Sequence, residues 1–210
     1  MPMNVEQARK VFERVTEAII SHKEYLTELD SAIGDADHGI NMSRGFTKAQ
    51  EKIKAGAYTE VGGVFKDVAM TLMGSVGGAS GPLYGTLFMR MSMKFGTKQE
   101  VDSADFVEAF EEGLKGILAL GKAQLEDKTM VDALTPALEA MKAAASNGED
   151  LPAVLEKGIA SAEEGMKRTI PLVAKKGRAS YLGERSAGHQ DPGATSTFLI
   201  LSAMLEGLRG

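Results

Sequence analysis

Apolar residues recur at steps of three and four along most of the chain, and alternating runs rich in Val, Ile and Thr are scarce. That pattern reads as nearly all helix. The spacing predicts helices over about 4–24, 38–55, 60–77, 81–95, 103–121, 129–146, 151–170 and 192–208. Start signals support the division: Ser80 before Gly81-Pro82, Asp102-Ser103 before Ala104, Thr129 after Lys128, and Asp191 directly before Pro192. Asn147-Gly148 is a stop signal. Short connections favour antiparallel neighbours, so the fold class expected is all-α, an up-and-down bundle or closed ring of helices. The connection from Ala174 to Gln190 is the exception, long and rich in Gly, Arg and Lys, as binding loops and lids often are. Met70, Met73, Met89, Met91 and Met93 are read as helical core in preference to a pliable interaction surface.

Composition narrows the picture. A chain of 210 residues can bury one substantial core, and no Pro/Ser-rich linker divides it, so a single domain over 1–210 is expected. With no cysteine, a disulfide framework, a thiolate nucleophile and Cys-ligated zinc are excluded. Met1 to Lys10 lacks the apolar core of a signal peptide, and the run from Phe198 to Leu205 is too short to cross a bilayer. A cytoplasmic chain with no membrane partner is the expectation. The net charge of −5, without a long Lys/Arg cluster, argues against a nucleic-acid partner.

The candidate chemistry begins at Asp30-Ser31-Ala32-Ile33-Gly34-Asp35-Ala36-Asp37-His38-Gly39-Ile40-Asn41, which crowds three carboxylates into eight residues of Gly-interrupted loop. Such crowding calls for a hard divalent cation, Mg²⁺ or Ca²⁺, although Asp, Gly and Asn are also ordinary turn residues. The EF-hand fails on spacing: counted from Asp35, Gly39 falls fifth and Phe46 stands where the bidentate Glu belongs. Gly77-Gly78-Ala79-Ser80-Gly81-Pro82 resembles a phosphate cradle at a helix start, or a tight helix–helix turn. Asp191-Pro192-Gly193-Ala194-Thr195 is a second such start, and Gly177-Arg178-Ala179 offers a guanidinium able to grip phosphate or simply to be solvated. Gly116 to Lys122 imitates a P-loop, but Ala123 stands where the metal-binding hydroxyl should be. His22, His38 and His189 are too scattered for a zinc site, and His38, beside the acidic cluster, is the one expected to touch ligand.

Taken in order, Gly34-Asp35-Ala36-Asp37-His38-Gly39 with Asn41-Met42, Gly77 to Thr86, Asp127-Lys128-Thr129-Met130-Val131-Asp132, and Gly177 to Ser186 leading to Gly188-His189-Gln190-Asp191-Pro192-Gly193-Ala194 closely resemble the nucleotide-binding L subunit of bacterial dihydroxyacetone kinase. The resemblance implies a closed barrel of eight antiparallel helices with the nucleotide at one end. It implies that Asp30, Asp35 and Asp37 bind two Mg²⁺ ions bridging to ADP or ATP. His38, Gly39, Ile40, Asn41, Ala79 and Ser80 match positions lining phosphates and sugar. Gly121 and Met130 match positions around the adenine, and Arg178, Asp191, Pro192 and Gly193 match the closing loop and last helix start. The sequence departs at Glu126, where the family often has Gly. Implied partners are a K subunit holding dihydroxyacetone and a phosphohistidine donor subunit of the phosphotransferase system. ATP exchange for a related short ketose, and a nucleotide-sensing regulatory module, are the alternatives.

Overall fold

The computed structural model describes residues 2–210, which form nine α-helices: α1 (Val5–Ser21), α2 (Lys23–Ile33), α3 (His38–Ala55), α4 (Val61–Ser75), α5 (Ser80–Phe95), α6 (Ser103–Gly121), α7 (Val131–Ser146), α8 (Leu151–Arg168) and α9 (Pro192–Arg209). A 3-10 segment, Arg178–Ser186, interrupts the long connection before α9. Two strands of two residues each, β1 (Met3–Asn4) and β2 (Glu100–Val101), pair antiparallel with Met3 opposite Val101.

The helix expected over 4–24 is α1, whereas α2 was not expected; α1 ends at His22, whose φ of −100° and ψ of 12° leave the helical region. Its Nδ1 lies 2.8 Å from the Ala18 carbonyl, beside the backbone N–H that already bonds that oxygen, and the local competition closes α1. The chain restarts as α2, which buries Leu26, Asp30 and Ile33 on one face. Asp30 is therefore a helical residue, and the loop expected over 30–37 shrinks to Gly34–Asp37.

Side-chain caps account for several starts. Asn4 and Gln7 form a capping box. Asp102, Asp150 and Asp191 each accept from the backbone N–H three residues on, at 2.9, 3.2 and 2.7 Å, each worth about 1 kcal/mol. Ser80 and Thr129 are not caps of this kind. Helix α5 begins on Ser80 itself, and Thr129 Oγ1 accepts from Val131 N–H at the start of α7.

Consecutive helices from α3 to α9 pack on one another, and α9 and α3 both pack on α1. Helix α2 stands outside this succession, against α3, α9 and the 3-10 segment. At Gly207 an added Cβ would lie 2.5 Å from the Val11 Cα, so glycine permits the close approach of α9 to α1. Phe12, Phe65, Phe88 and Phe95 meet edge to face in the core, with centroids of 4.8 Å for Phe12–Phe65 and 5.0 Å for Phe65–Phe95. Each such ring contributes about 1.5–3 kcal/mol by burial, plus the preference of ring edges for ring faces.

The methionines divide. Met91 is buried and Met89 half-buried, but Met70, Met73 and Met93 are 57%, 41% and 73% exposed, so the reading of all five as core is wrong. A helix turns about 100° per residue, which sets Met93 nearly opposite Met91, while Met70 and Met73 share the outer face of α4. Among the described residues, no helix is long and apolar enough to cross a membrane.

Candidate functional site

Three carboxylates meet where α2 ends and α3 begins. One oxygen from each of Asp30, Asp35 and Asp37 lies within 4.8 Å of the others. Asp30 Oδ2 accepts from the backbone N–H groups of Asp37 (2.8 Å) and His38 (3.1 Å), so this residue of α2 caps α3 from outside and locks the intervening loop. Gly34 is required there, because a Cβ would stand 2.0 Å from Asp30 Oδ1. Ala36 takes a left-handed φ of 60°, a conformation that costs an L-residue roughly 1–2 kcal/mol. Asp37 occupies the cap position of α3 but makes no side-chain cap bond, which leaves its carboxylate available to a ligand. Asp35 is held by Arg178, Nε to Oδ2 at 2.8 Å.

Helix starts converge on the same cleft. His38 opens α3, Ser80 opens α5 and Pro192 opens α9, and one imidazole joins all three. His38 Nδ1 lies 3.1 Å from Ser80 Oγ, and Nε2 lies 2.9 Å from Ser196 Oγ in the first turns of α9. Burial pushes the His38 pKa down, against the pull of Asp30 and Asp37. Ser196 in turn meets the buried Tyr84 hydroxyl at 2.7 Å. Unpaired N–H groups at such starts favour anions.

The third wall is the loop between α6 and α7. Asp132 accepts from the N–H groups of Glu126 (2.5 Å) and Thr129 (2.8 Å), and so holds Glu126 and Lys128 at left-handed φ of 68° and 62°. Glu126 thus adopts the conformation that a glycine takes most easily. The Lys128 ammonium is buried, and burial lowers its pKa against Asp191 and Asp132. Burial raises the Asp191 carboxyl to about 7, with Asp132 adding and Lys128 opposing.

These walls enclose a cleft of about 370 Å³. Of the residues anticipated, Asp30, Asp35, Asp37, His38, Asn41, Ala79, Ser80, Gly121, Met130, Arg178, Asp191, Pro192 and Gly193 line it, and Gly39 and Ile40 do not. Gly39 is a packing residue: a Cβ there would fall 2.0 Å from the Lys23 carbonyl. Ile40 faces outward and is exposed. Asn41 is not free either, since its Oδ1 accepts from Arg44 at 2.7 Å. Arg178, expected to reach for phosphate, spends its Nε on Asp35. Sequence reasoning missed Lys128 and Lys176 and the apolar wall of Leu83, Ile117 and Val131. Leu83 follows Ser80 by three residues and Ile117 precedes Gly121 by four, so helical spacing alone put both on the faces already marked. Tyr181, three residues past Arg178, is 86% exposed.

Fold and cleft together define an all-helical chain with one cleft, in which three carboxylates lie beside the starts of α3, α5 and α9. Residues 32–206 match the DAK2 domain, and the chain belongs to that family. It is 45% identical, over 88% of both chains, to the PEP-dependent dihydroxyacetone kinase ADP-binding subunit DhaL of Escherichia coli. To the PTS-dependent ADP-binding subunit DhaL of Lactococcus lactis it is 42% identical over 92% of both. The crystal structure of the dihydroxyacetone kinase of C. freundii in complex with AMP-PNP and Mg²⁺ superposes with a TM-score of 0.74 at 25% identity; the match covers 98% of this chain and 34% of that one. The chain thus corresponds to about a third of that longer protein.

Proposed function

We propose that this chain is the ADP-binding subunit of a multi-component dihydroxyacetone kinase, carrying a phosphoryl group on Mg-bound nucleotide to dihydroxyacetone held by a separate K subunit. A phosphohistidine donor of the phosphotransferase system would recharge the bound ADP, which places the chemistry in the cytoplasm. The observation that carries the reading is the acidic trio, with its oxygens within 4.8 Å at the start of α3, lining one cleft together with the starts of α5 and α9, in a chain this similar to ADP-binding subunits. The succession of α1 and α3 to α9 around the core supports a closed barrel of eight helices forming one domain, with α2 added outside.

The donor set fits magnesium: all three groups are hard oxygens, and Asp30 keeps Oδ1 clear of the two backbone bonds at Oδ2. Two Mg²⁺ ions would offset about four of the roughly six negative charges that three carboxylates and a nucleoside diphosphate bring together. Ala79, Ser80 and Gly193 would meet the phosphates at the helix starts, with His38 fixing the spacing between those starts. Gly121, Met130, Leu83 and Ile117 would take the base against an apolar wall. Arg178 pairs with Asp35, and would turn its charge toward the phosphates where cations take over that carboxylate. Positioning and charge stabilisation then suffice, with no covalent intermediate on this chain.

A second reading, in which ATP binds and exchanges, is favoured by the AMP-PNP and Mg²⁺ complex of the longer relative. Denaturing the purified chain and identifying the released nucleotide separates the two. ADP retained through extensive dialysis supports the recharged carrier, and an empty site that takes up ATP supports exchange. Mixing the chain with its K partner, Mg²⁺, dihydroxyacetone and either donor completes the test. Tight nucleotide binding without turnover from either donor would overturn both.

A further inference from the structure

Lys128 is the most conspicuous cation on the cleft wall, yet its hydrogen bonds all go to backbone carbonyls. The residue is 1% exposed. Its Nζ donates to the carbonyls of Thr169 (2.6 Å), Ile170 (3.3 Å) and His189. An ammonium has three protons and no lone pair. All three engage backbone oxygens, and none is left for a phosphate.

The three carbonyls have a particular place in the chain. Thr169 and Ile170 directly follow α8, and His189 lies three residues before α9. They are the two ends of the segment that brings Lys176, Gly177 and Arg178 to the cleft. Two further bonds join the same ends: Gly188 N–H to the Ile170 carbonyl at 2.7 Å, and Asp191 N–H to Thr169 Oγ1 at 3.0 Å. Lys128 is held in turn by a left-handed turn whose N–H groups Asp132 binds, and Asp191 and Asp132 are the carboxylates that attract it.

We propose that Lys128 is a positioning residue, which gathers both ends of the 169–191 segment and thereby sets the place of Arg178 in the cleft. Its consequence for nucleotide affinity rests on the function proposed above, whereas its effect on the segment does not. Without the ammonium, three inward carbonyls lose their common donor and repel one another. The ends part, and Arg178 leaves its station.

The variant Lys128→Met keeps the length and removes the charge. In the nucleotide-free chain, amides of residues 172–188 are expected to exchange with deuterium roughly tenfold faster or more, while those of α4 and α5 keep their wild-type rates. By calorimetry, Lys128→Met and Arg178→Ala each weaken Mg-ADP binding by about tenfold or more, and the double variant loses little beyond the larger single loss, since one acts through the other. Lys128→Arg, which keeps the charge and the donors, restores part of both. Unchanged exchange in 172–188, or fully additive losses, would overturn the proposal. Should Lys128→Met fail to fold, the wild-type ammonium itself decides: a slowly exchanging ¹⁵N ammonium signal supports the tie, and a solvent-averaged one sinks it. A wild-type chain that bound no Mg-ADP would refute the proposed function, and the exchange measurement would still judge Lys128.

Discussion

At Asp191, one carboxylate both caps α9 and lies buried beside Lys128 and Asp132. Its pKa rises to about 7 in the fold, from about 3.9 in an unfolded chain. Between those values the native state holds a proton that the unfolded state has lost. Its contribution therefore makes the chain less stable as pH rises through that window, by at most about 1.4 kcal/mol per pH unit. Asp191→Asn keeps a capping oxygen and does not titrate. It is expected to make stability fall less with pH than in the wild type, and urea midpoints at pH 5 and pH 7 would reveal it; identical slopes would refute the assignment. Glu126 presents a different strain, exposed and left-handed at φ 68°. Glu126→Gly relieves an αL penalty of roughly 1–2 kcal/mol and loosens the unfolded chain by about 0.5–1. The expected outcome is a gain of up to about 1 kcal/mol, read from denaturation, and a clear loss would show that the side chain itself matters.

Among the elements, α2 teaches most. It carries Asp30 to the start of α3, and Gly39 is the contact that lets the two helices touch, with a Cβ placed 2.0 Å from the Lys23 carbonyl and 2.5 Å from Thr27 Oγ1. Gly39→Ala should cost about 1–3 kcal/mol as overpacking and weaken Mg-ADP binding by displacing Asp30, whereas wild-type stability would show that the helices slide apart freely. The periodic segments were legible because long amphipathic stretches announce themselves: α3 and α6 match the expected spans residue for residue, and Asp102 and Asp191 cap as expected. Helix α2 was not, since only Leu26 and Ile33 of its 11 residues are buried apolar positions and the third inward residue is Asp30. For the same reason Asp30 was read in a loop. The acidic trio was legible from composition and order, but its pairing with Arg178 joins residues far apart in sequence that only the fold brings together. The inner or outer position of Met70, Met73 and Met93 also depends on which faces neighbouring helices cover, which hydrophobicity alone cannot tell.

For the whole molecule, α5 runs from Ser80 at the cleft to Phe95 in the aromatic cluster, 16 residues and about 24 Å of helix at 1.5 Å per residue. The cleft thus lies well away from the aromatic cluster, and a nucleotide bound there would add stability by mass action. At a Mg-ADP concentration of about a hundredfold Kd, the wild-type chain should gain about 2.7 kcal/mol. Asp35→Asn, which keeps the size and removes a charge from the trio, should forfeit most of that gain at the same concentration while circular dichroism reports unchanged helix. Equal stabilisation of both proteins would argue that nucleotide binds without the trio. The chain contains no tryptophan, and Tyr181 projects into solvent on the very stretch that carries Arg178. A single indole introduced there would be the only one in the chain, so its emission would report any change in the surroundings of that stretch in real time, without a dye and without an interfering signal from the interior.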